Sequence, residues 1–117
     1  MPSTRTLSLL VALAVLASAQ TTPAAASKGN PEAGKKLYLE SCKHCHGATG
    51  KAETELAGTL TTRPADLTSK KTQSKTDGQL RKAIMEGVAG TPMSHFGKAF
   101  DDSQMADLIS YIRSLKP

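Results

Sequence analysis

Two cysteines and two histidines lie within five consecutive residues, and their spacing is the clearest indication of chemistry in this sequence. Residues 42–46 read Cys-Lys-His-Cys-His, so that one histidine directly follows the second cysteine. Two thiols separated by two residues occur in redox-active disulfides, in metal sites that recruit further ligands, and in covalent haem attachment when a histidine follows. The remaining sequence helps to decide between these sites.

The first two kinds of site fit the chain poorly. A redox-active cysteine pair usually accompanies a βαβ pattern, and no segment here alternates convincingly between apolar and polar residues. A structural zinc site needs four ligands, and His44 and His95 do not complete a recognised spacing. A haem explains the motif, because Cys42 and Cys45 can each form a thioether with one porphyrin vinyl group. His46 is then held beneath the iron as an axial ligand, so we predict one covalent haem c with its iron.

The second iron ligand must come from elsewhere in the chain. The candidates are Met85, Met93, Met105, His44 and His95. Met85 and Met105 lie in predicted helices, where a core role is the simpler interpretation, and His44 lies on the same side as the anchoring thiols. Met93 lies in a loop shaped by a glycine and a proline. We predict Met93 as the second metal ligand, with His95 or an open site as alternatives.

Three segments have the capping residues and apolar spacing of α-helices. The first is predicted over residues 31–41, after an asparagine N-cap and with a proline in its first turn. The second opens with a capping-box pattern at residues 76–79, Thr-Asp-Gly-Gln, and ends near residue 86. The third begins at residue 101 or 102 and ends near residue 115. Its apolar stripe consists of Met105, Leu108, Ile109, Ile112 and Leu115.

The domain has few large side chains with which to fill a core. Only 3% of the residues are aromatic, and there is no tryptophan. Residues 47–75 are predicted to form a long loop with a short helix near 52–57, and such loops are uncommon unless they wrap something. A porphyrin would supply the missing apolar bulk. The predicted fold is therefore all-α, with three main helices plus loops wrapped around one covalently attached haem.

The N-terminus has the layout of a secretory signal peptide. Arg5 precedes an apolar run at residues 7–17, which is shorter than the roughly 20 residues that span a bilayer, and small residues follow. We predict a signal peptide and linker within residues 1–26, cleaved after Ala19 or Ala26, with an uncleaved anchor as the alternative. A polar linker ends near residue 29, and the domain comprises residues 30–117. We expect export to the periplasm with no stable membrane insertion.

The chain carries a formal net charge of +5 at pH 7. Its lysines and arginines are scattered, which is compatible with an ordinary solvated surface or with a basic face that steers an acidic partner protein. Nucleic acid is a poor partner for an exported chain with so few aromatic side chains to stack on bases. We therefore expect redox protein partners with acidic docking surfaces.

These motifs resemble those of bacterial-type class I (monohaem) cytochromes c, and the resemblance covers residues 30–116. Gly34 and Tyr38 stand eight and four positions before the first cysteine, as the family's glycine and aromatic residue do. Residues 106–112, Ala-Asp-Leu-Ile-Ser-Tyr-Ile, are similar to the family's C-terminal helix motif. The resemblance implies that the first and last helices cross closely at Gly34, with aromatic side chains packed there.

The resemblance also implies roles in the loop. Residues 64–67, Pro-Ala-Asp-Leu, resemble the segment in which a proline carbonyl accepts the Nδ1–H of the axial histidine. Such a bond fixes the ring and strengthens the ligand, and Pro64 is the candidate for this role. Arg63 is a candidate for binding the haem propionates.

The expected function is that of an electron carrier rather than an enzyme. An exported, soluble monohaem cytochrome would shuttle single electrons between periplasmic or membrane redox partners, with the iron cycling between Fe(II) and Fe(III). Two alternatives stay open. The chain could be a dedicated electron-transfer subunit of one enzyme complex, or a haem-based ligand sensor if the sixth coordination site is open.

Overall fold

The computed structural model describes residues 28–94 and 96–117. The predicted signal peptide, most of the linker and His95 lie outside the described residues. The helices are α1 (Pro31–Ser41), α2 (Lys43–His46), α3 (Glu55–Thr59), α4 (Lys70–Gln73), α5 (Asp77–Glu86) and α6 (Asp102–Ser114). No strand occurs in the two ranges, which agrees with the predicted all-α fold. None of the helices found there is long and apolar enough to cross a membrane.

The three long helices begin where their capping residues predict. The Asn30 side chain accepts hydrogen bonds from the first turn of α1. Complete capping boxes open the other two, with Thr76 and Gln79 paired at α5 and Asp101 and Gln104 paired at α6. Each reciprocal pair satisfies backbone N–H groups that lack partners within the helix. The predicted bounds of all three helices are thus confirmed within about a residue.

The long segment between α1 and α5 contains more regular structure than the sequence predicted. The helix expected near residues 52–57 begins three residues later, at Glu55, because Ala52 has a φ of 56° and Thr54 is the residue that caps α3. A left-handed residue cannot lie inside a right-handed helix. The short helices α2 and α4 were not predicted, and α4 begins after a cap formed by the Ser69 side chain.

The crossing of α1 and α6 forms the centre of the fold. A Cβ atom added to Gly34 would lie 1.9 Å from the carbonyl oxygen of Asp107, so the two backbones touch at this point. Beside the crossing, the rings of Tyr38 and Tyr111 pack with centroids 5.1 Å apart. The close crossing at Gly34 that the resemblance implied is therefore present.

The polypeptide core around this crossing is small. Its buried members are Tyr38, Leu67, Leu80, Ile84, Met105, Leu108, Ile109, Tyr111 and Ile112. All but Leu67 lie on the three long helices. Met105 is only 1% exposed, which agrees with the core role predicted for it.

The chain joins this core one residue before the predicted domain boundary. Gly29, which the sequence places at the end of the polar linker, lies so close to α6 that an added Cβ would be 2.1 Å from the carbonyl of Ala106. The next backbone N–H, that of Asn30, donates to the Asp107 carboxylate at 2.6 Å. These contacts pack Gly29 against α6.

Candidate haem site

Cys45 lies in α2, and Cys42 immediately precedes this helix. Cys42 is both the last capping residue of α1 and the residue that precedes α2, and its N–H donates to the Tyr38 carbonyl at 2.8 Å. Residues three apart lie on the same side of a helical turn, so Cys42 and Cys45 share one side. Both thiols are half-buried and neither forms a disulfide. Burial, with a smaller contribution from Cys45, raises the pKa of the Cys42 thiol to about 11, so this thiol is protonated at neutral pH.

His46 ends the same helix, and its ring is fixed by one hydrogen bond. The Nδ1 atom lies 3.0 Å from the carbonyl oxygen of Ala65. Because a carbonyl can only accept, Nδ1 carries the proton and the lone pair is on Nε2. Burial lowers the pKa of His46 and outweighs the opposing effect of the Ala65 bond. The imidazole is therefore neutral with Nε2 available, which is the form that binds iron.

The identity of this carbonyl corrects the expectation for Pro64. The acceptor is Ala65, one residue later in the same segment. Adjacent carbonyls in a non-helical segment point in different directions, and the backbone bond from Leu67 N–H to the Gly50 carbonyl at 2.7 Å sets which one faces His46. A sequence motif can locate the segment that contains the acceptor. Which carbonyl of that segment faces the histidine depends on contacts with a turn that is distant in the sequence.

The turn that follows His46 is held by contacts that the sequence did not reveal. Gly47, Gly50 and Ala52 all have positive φ angles, of 78°, 81° and 56°. The buried hydroxyl of Tyr38 donates to the Gly47 carbonyl at 2.6 Å. Burial raises the pKa of the Tyr38 hydroxyl above its usual value. The hydroxyl therefore keeps its proton and remains a donor.

Met93 lies in the loop that joins α5 to α6. Its side chain is half-buried and packs against the core, and its N–H donates to the Thr91 hydroxyl at 3.2 Å. Two backbone hydrogen bonds close the base of this loop, from Phe96 to Ile84 and from Gly97 to Met85, both at 2.9 Å. The predicted ligand is therefore presented by a loop whose two ends are fixed to α5.

The other candidate ligands have different positions. Met85 is also half-buried and packs against the core from α5, whereas His44 is exposed. Arg63, the candidate for the propionates, donates from Nη2 to the Ala52 carbonyl at 3.1 Å.

The donor set and its surroundings fit a covalently attached haem. Two free thiols lie one helical turn apart, a neutral imidazole has a free Nε2, and a thioether lies on a loop packed against the same core. Several other half-buried apolar side chains also pack against that core: Leu37, Leu39, Met85, Phe96, Phe100 and Leu115. Cys42 and Cys45 would hold the porphyrin covalently, and His46 and Met93 would hold its iron.

Comparisons with known proteins point to the same cofactor. The family model described as Cytochrome c matches residues 31–116. Among solved structures, the chain is similar to one described as "KustC0563 c-type cytochrome", with 29% sequence identity and a TM-score of 0.61, over 72% of this chain and 98% of that one. Comparison with curated proteins found no match.

A second solved structure shares the fold at lower identity. It is a chain of the "Kuenenia stuttgartiensis reducing HAO-like protein complex Kustc0457/Kustc0458", with 23% identity and a TM-score of 0.66. The match covers 76% of this chain and 44% of that chain. Because the family model spans most of the sequence and includes the motif at residues 42–46, the chain belongs to the cytochrome c family and is an electron-transfer haem protein with haem c and iron as its cofactor.

Proposed function

We propose that this protein is an exported monohaem carrier that shuttles single electrons between redox partners in the periplasm or at the membrane. Cys42 and Cys45 would anchor the haem covalently, and His46 and Met93 would bind its iron. The observation that carries the proposal is the state of His46, a neutral imidazole whose Nδ1–H is bound by the Ala65 carbonyl. Such a carbonyl partner orients an iron-binding histidine and increases its basicity.

The haem would supply a one-electron Fe(II)/Fe(III) couple. The chain's own residues tune that couple in opposite directions, because a hydrogen-bonded imidazole favours Fe(III) whereas a thioether raises the potential and favours Fe(II). Two protein ligands also leave no position for a small molecule, which favours electron transfer over catalysis or ligand sensing. The proposed leader within residues 1–26, cleaved after Ala19 or Ala26, supports export.

Absorption spectra of the oxidised and reduced holoprotein, with and without carbon monoxide, test this function. A carrier with two protein ligands gives low-spin spectra in both states, and carbon monoxide leaves the reduced spectrum unchanged. A rapid change with carbon monoxide would instead indicate a sensor with an open site. Size-exclusion chromatography of the native extract separates a free carrier from a subunit, which would co-elute with a larger enzyme.

Replacement of Met93 is expected to remove the second ligand without releasing the haem. In Met93→Ala the sulfur-to-iron charge-transfer band of the oxidised protein should disappear, and the reduced protein should bind carbon monoxide. The haem should remain attached because the thioethers involve other residues. Met85→Ala is the matched control, since Met85 is also half-buried against the core. If the band survives in Met93→Ala and disappears in Met85→Ala, the ligand assignment is wrong.

The docking surface that we propose lies beside the Met93 loop. A groove of about 310 Å³ runs along α5 and the residues that follow it. Its apolar lining includes Ala83 and Val88, and its charged lining consists of Lys75, Lys82 and Glu86, with the last two paired at 4.0 Å. Val88 is 45% exposed, and its N–H donates to the Met93 carbonyl at 3.3 Å. An exposed apolar side chain next to the proposed ligand, with lysines nearby, suits a redox partner with an acidic rim.

Reversing the charge of these lysines is expected to slow reaction with anionic reagents. In Lys75→Glu/Lys82→Glu, oxidation of the reduced protein by ferricyanide should slow by about tenfold at low ionic strength, the lower end of the effect of electrostatic steering. The difference should vanish near 1 M salt, where the Debye length is about 3 Å. Stopped-flow rates measured across ionic strengths provide the test.

A charge reversal on another surface controls for net charge alone. Lys35 and Lys36 are exposed on α1 and do not line the groove, so Lys35→Glu/Lys36→Glu changes the total charge equally. The control should slow ferricyanide less than the groove variant does. Equal slowing would show that overall charge, rather than this surface, governs the encounter.

A further inference from the structure

We propose that Arg63 is a positioning residue for His46, holding the loop that carries Ala65 so that its carbonyl stays on the imidazole Nδ1–H. The inference rests on the proposed role of His46 as an axial ligand. It gives Arg63 a role different from the propionate contact expected from the sequence, and it is carried by a closed set of hydrogen bonds.

This set begins and ends at His46. The His46 carbonyl accepts from the Ala52 N–H at 2.8 Å, which fixes the turn to the helix that ends with the histidine. The Ala52 carbonyl accepts from Arg63 Nη2 at 3.1 Å, which fixes the loop to the turn. Two residues after Arg63, the Ala65 carbonyl lies 3.0 Å from Nδ1 of the same histidine. The backbone and the ring of His46 are thus connected through one guanidinium group.

A second tether binds the loop on the other side of Ala65. The Leu67 N–H donates to the Gly50 carbonyl at 2.7 Å, two residues after the acceptor, whereas Arg63 binds two residues before it. Both tethers end on the same turn. Ala65 itself is exposed, so water can compete for its carbonyl whenever the loop moves. Removal of the Arg63 tether would leave the acceptor held from one side only.

Ala52 is shaped to take part in this arrangement. It is 1% exposed and has a φ of 56°, which makes it the only described residue other than glycine with a positive φ. Such a conformation persists only where the surroundings fix it. Here its N–H and its carbonyl are both engaged, by His46 and Arg63. Ala52 therefore links the backbone of His46 to the guanidinium group of Arg63.

The consequence for function is a change in how strongly the imidazole donates electrons. A short, constant hydrogen bond from Nδ1–H increases the basicity of the ring, and loss of the bond decreases it. A less basic axial ligand stabilises Fe(III) less, so the potential rises. Without the Arg63 tether, we expect the His46 ring N–H to exchange faster with solvent and the haem to become easier to reduce.

The test uses the full-length holoprotein with Arg63→Met, which keeps the side-chain bulk and removes the donors. Reduction potential is measured by redox titration, and exchange of the His46 Nδ1–H is measured by NMR in the diamagnetic reduced state. We expect ring N–H exchange to become about tenfold faster and the equilibrium constant for reduction to rise severalfold, where tenfold corresponds to 59 mV for one electron. Arg63→Lys keeps one donor group, and it can be measured even if Arg63→Met fails to fold. Its ring exchange rate and reduction potential should lie between those of the wild type and Arg63→Met.

Arg113 provides a matched control, because its guanidinium also donates to a backbone carbonyl, that of Gln73 at 2.8 Å. Arg113→Met should lower thermal stability but leave ring exchange and potential unchanged. Equal shifts in both methionine variants would show general loosening and overturn the proposal. A changed potential with unchanged ring exchange would also overturn the proposal, because Arg63 would then act through the haem propionates and not through His46. If the proposed function failed instead, the wild-type spectra would already lack two-ligand, low-spin iron.

Discussion

Alanine at both Cys42 and Cys45 is expected to yield a colourless polypeptide that does not reach the native fold. Neither thiol would remain to form a thioether, so no haem should stay with the chain after denaturation and extraction with acidified acetone. In the part of the chain that the structure describes, the apolar core contains nine buried residues around one helix crossing, and a domain with so small a core is only marginally stable. The pigment that stays with the chain after extraction measures haem attachment. Far-ultraviolet circular dichroism measures folding.

The single variants should have graded effects. Cys42→Ala and Cys45→Ala each leave one thioether, so attachment should weaken or fail, and the colour retained should be less than in the wild type. His44→Ala is the control, because His44 lies between the cysteines but is exposed; it should retain the haem in full. Covalent haem in the double variant, or loss of haem from His44→Ala alone, would contradict the assignment of the thiols.

The long helices could be predicted because their signals are local. Capping partners lie within three residues of each other, and the apolar stripes repeat with the helical period. This is why the bounds of α1, α5 and α6 were correct, and why Met105 was correctly assigned to the core. The motif at residues 42–46 is equally local, and together with the absence of a strand pattern and the shortage of large apolar side chains it identified the cofactor.

The features that could not be predicted depend on distant contacts. The choice of Ala65 over Pro64 as the partner of His46 depends on how the loop pairs with the turn that contains Gly50. The left-handed conformation of Ala52, which displaces α3, is unusual for alanine and has no sequence signal. Gly29 was placed in the linker because nothing in its neighbourhood shows that α6 lies against it. For Ala65 and Gly29, the deciding partner is distant in the sequence.

Gly34→Ala is expected to be the most destabilising conservative substitution in the long helices. The added Cβ would lie 1.9 Å from the Asp107 carbonyl oxygen and 2.4 Å from its carbonyl carbon, both of which are backbone atoms that cannot rotate away. The helices would have to separate, and overpacking of this kind costs about 1–3 kcal/mol or more. Because the blocking atoms belong to the backbone, the cost lies near the upper end, about 3 kcal/mol. Alanine recovers about 1 kcal/mol in helix propensity, so we expect a net loss of roughly 2 kcal/mol. That loss lowers the melting temperature by about 10 °C in a domain of this size.

The comparison with Gly78→Ala separates the clash from the helix propensity. Gly78 lies in α5, where an added Cβ would meet nothing closer than the Thr76 hydroxyl at 3.8 Å, an ordinary contact. The same substitution should therefore raise the melting temperature of the holoprotein or leave it unchanged. Gly34→Val, with a larger and β-branched side chain, should destabilise more than Gly34→Ala. Equal melting temperatures for Gly34→Ala and Gly78→Ala would mean that α1 and α6 do not pack with their backbones in contact, and the helix crossing described above would be wrong.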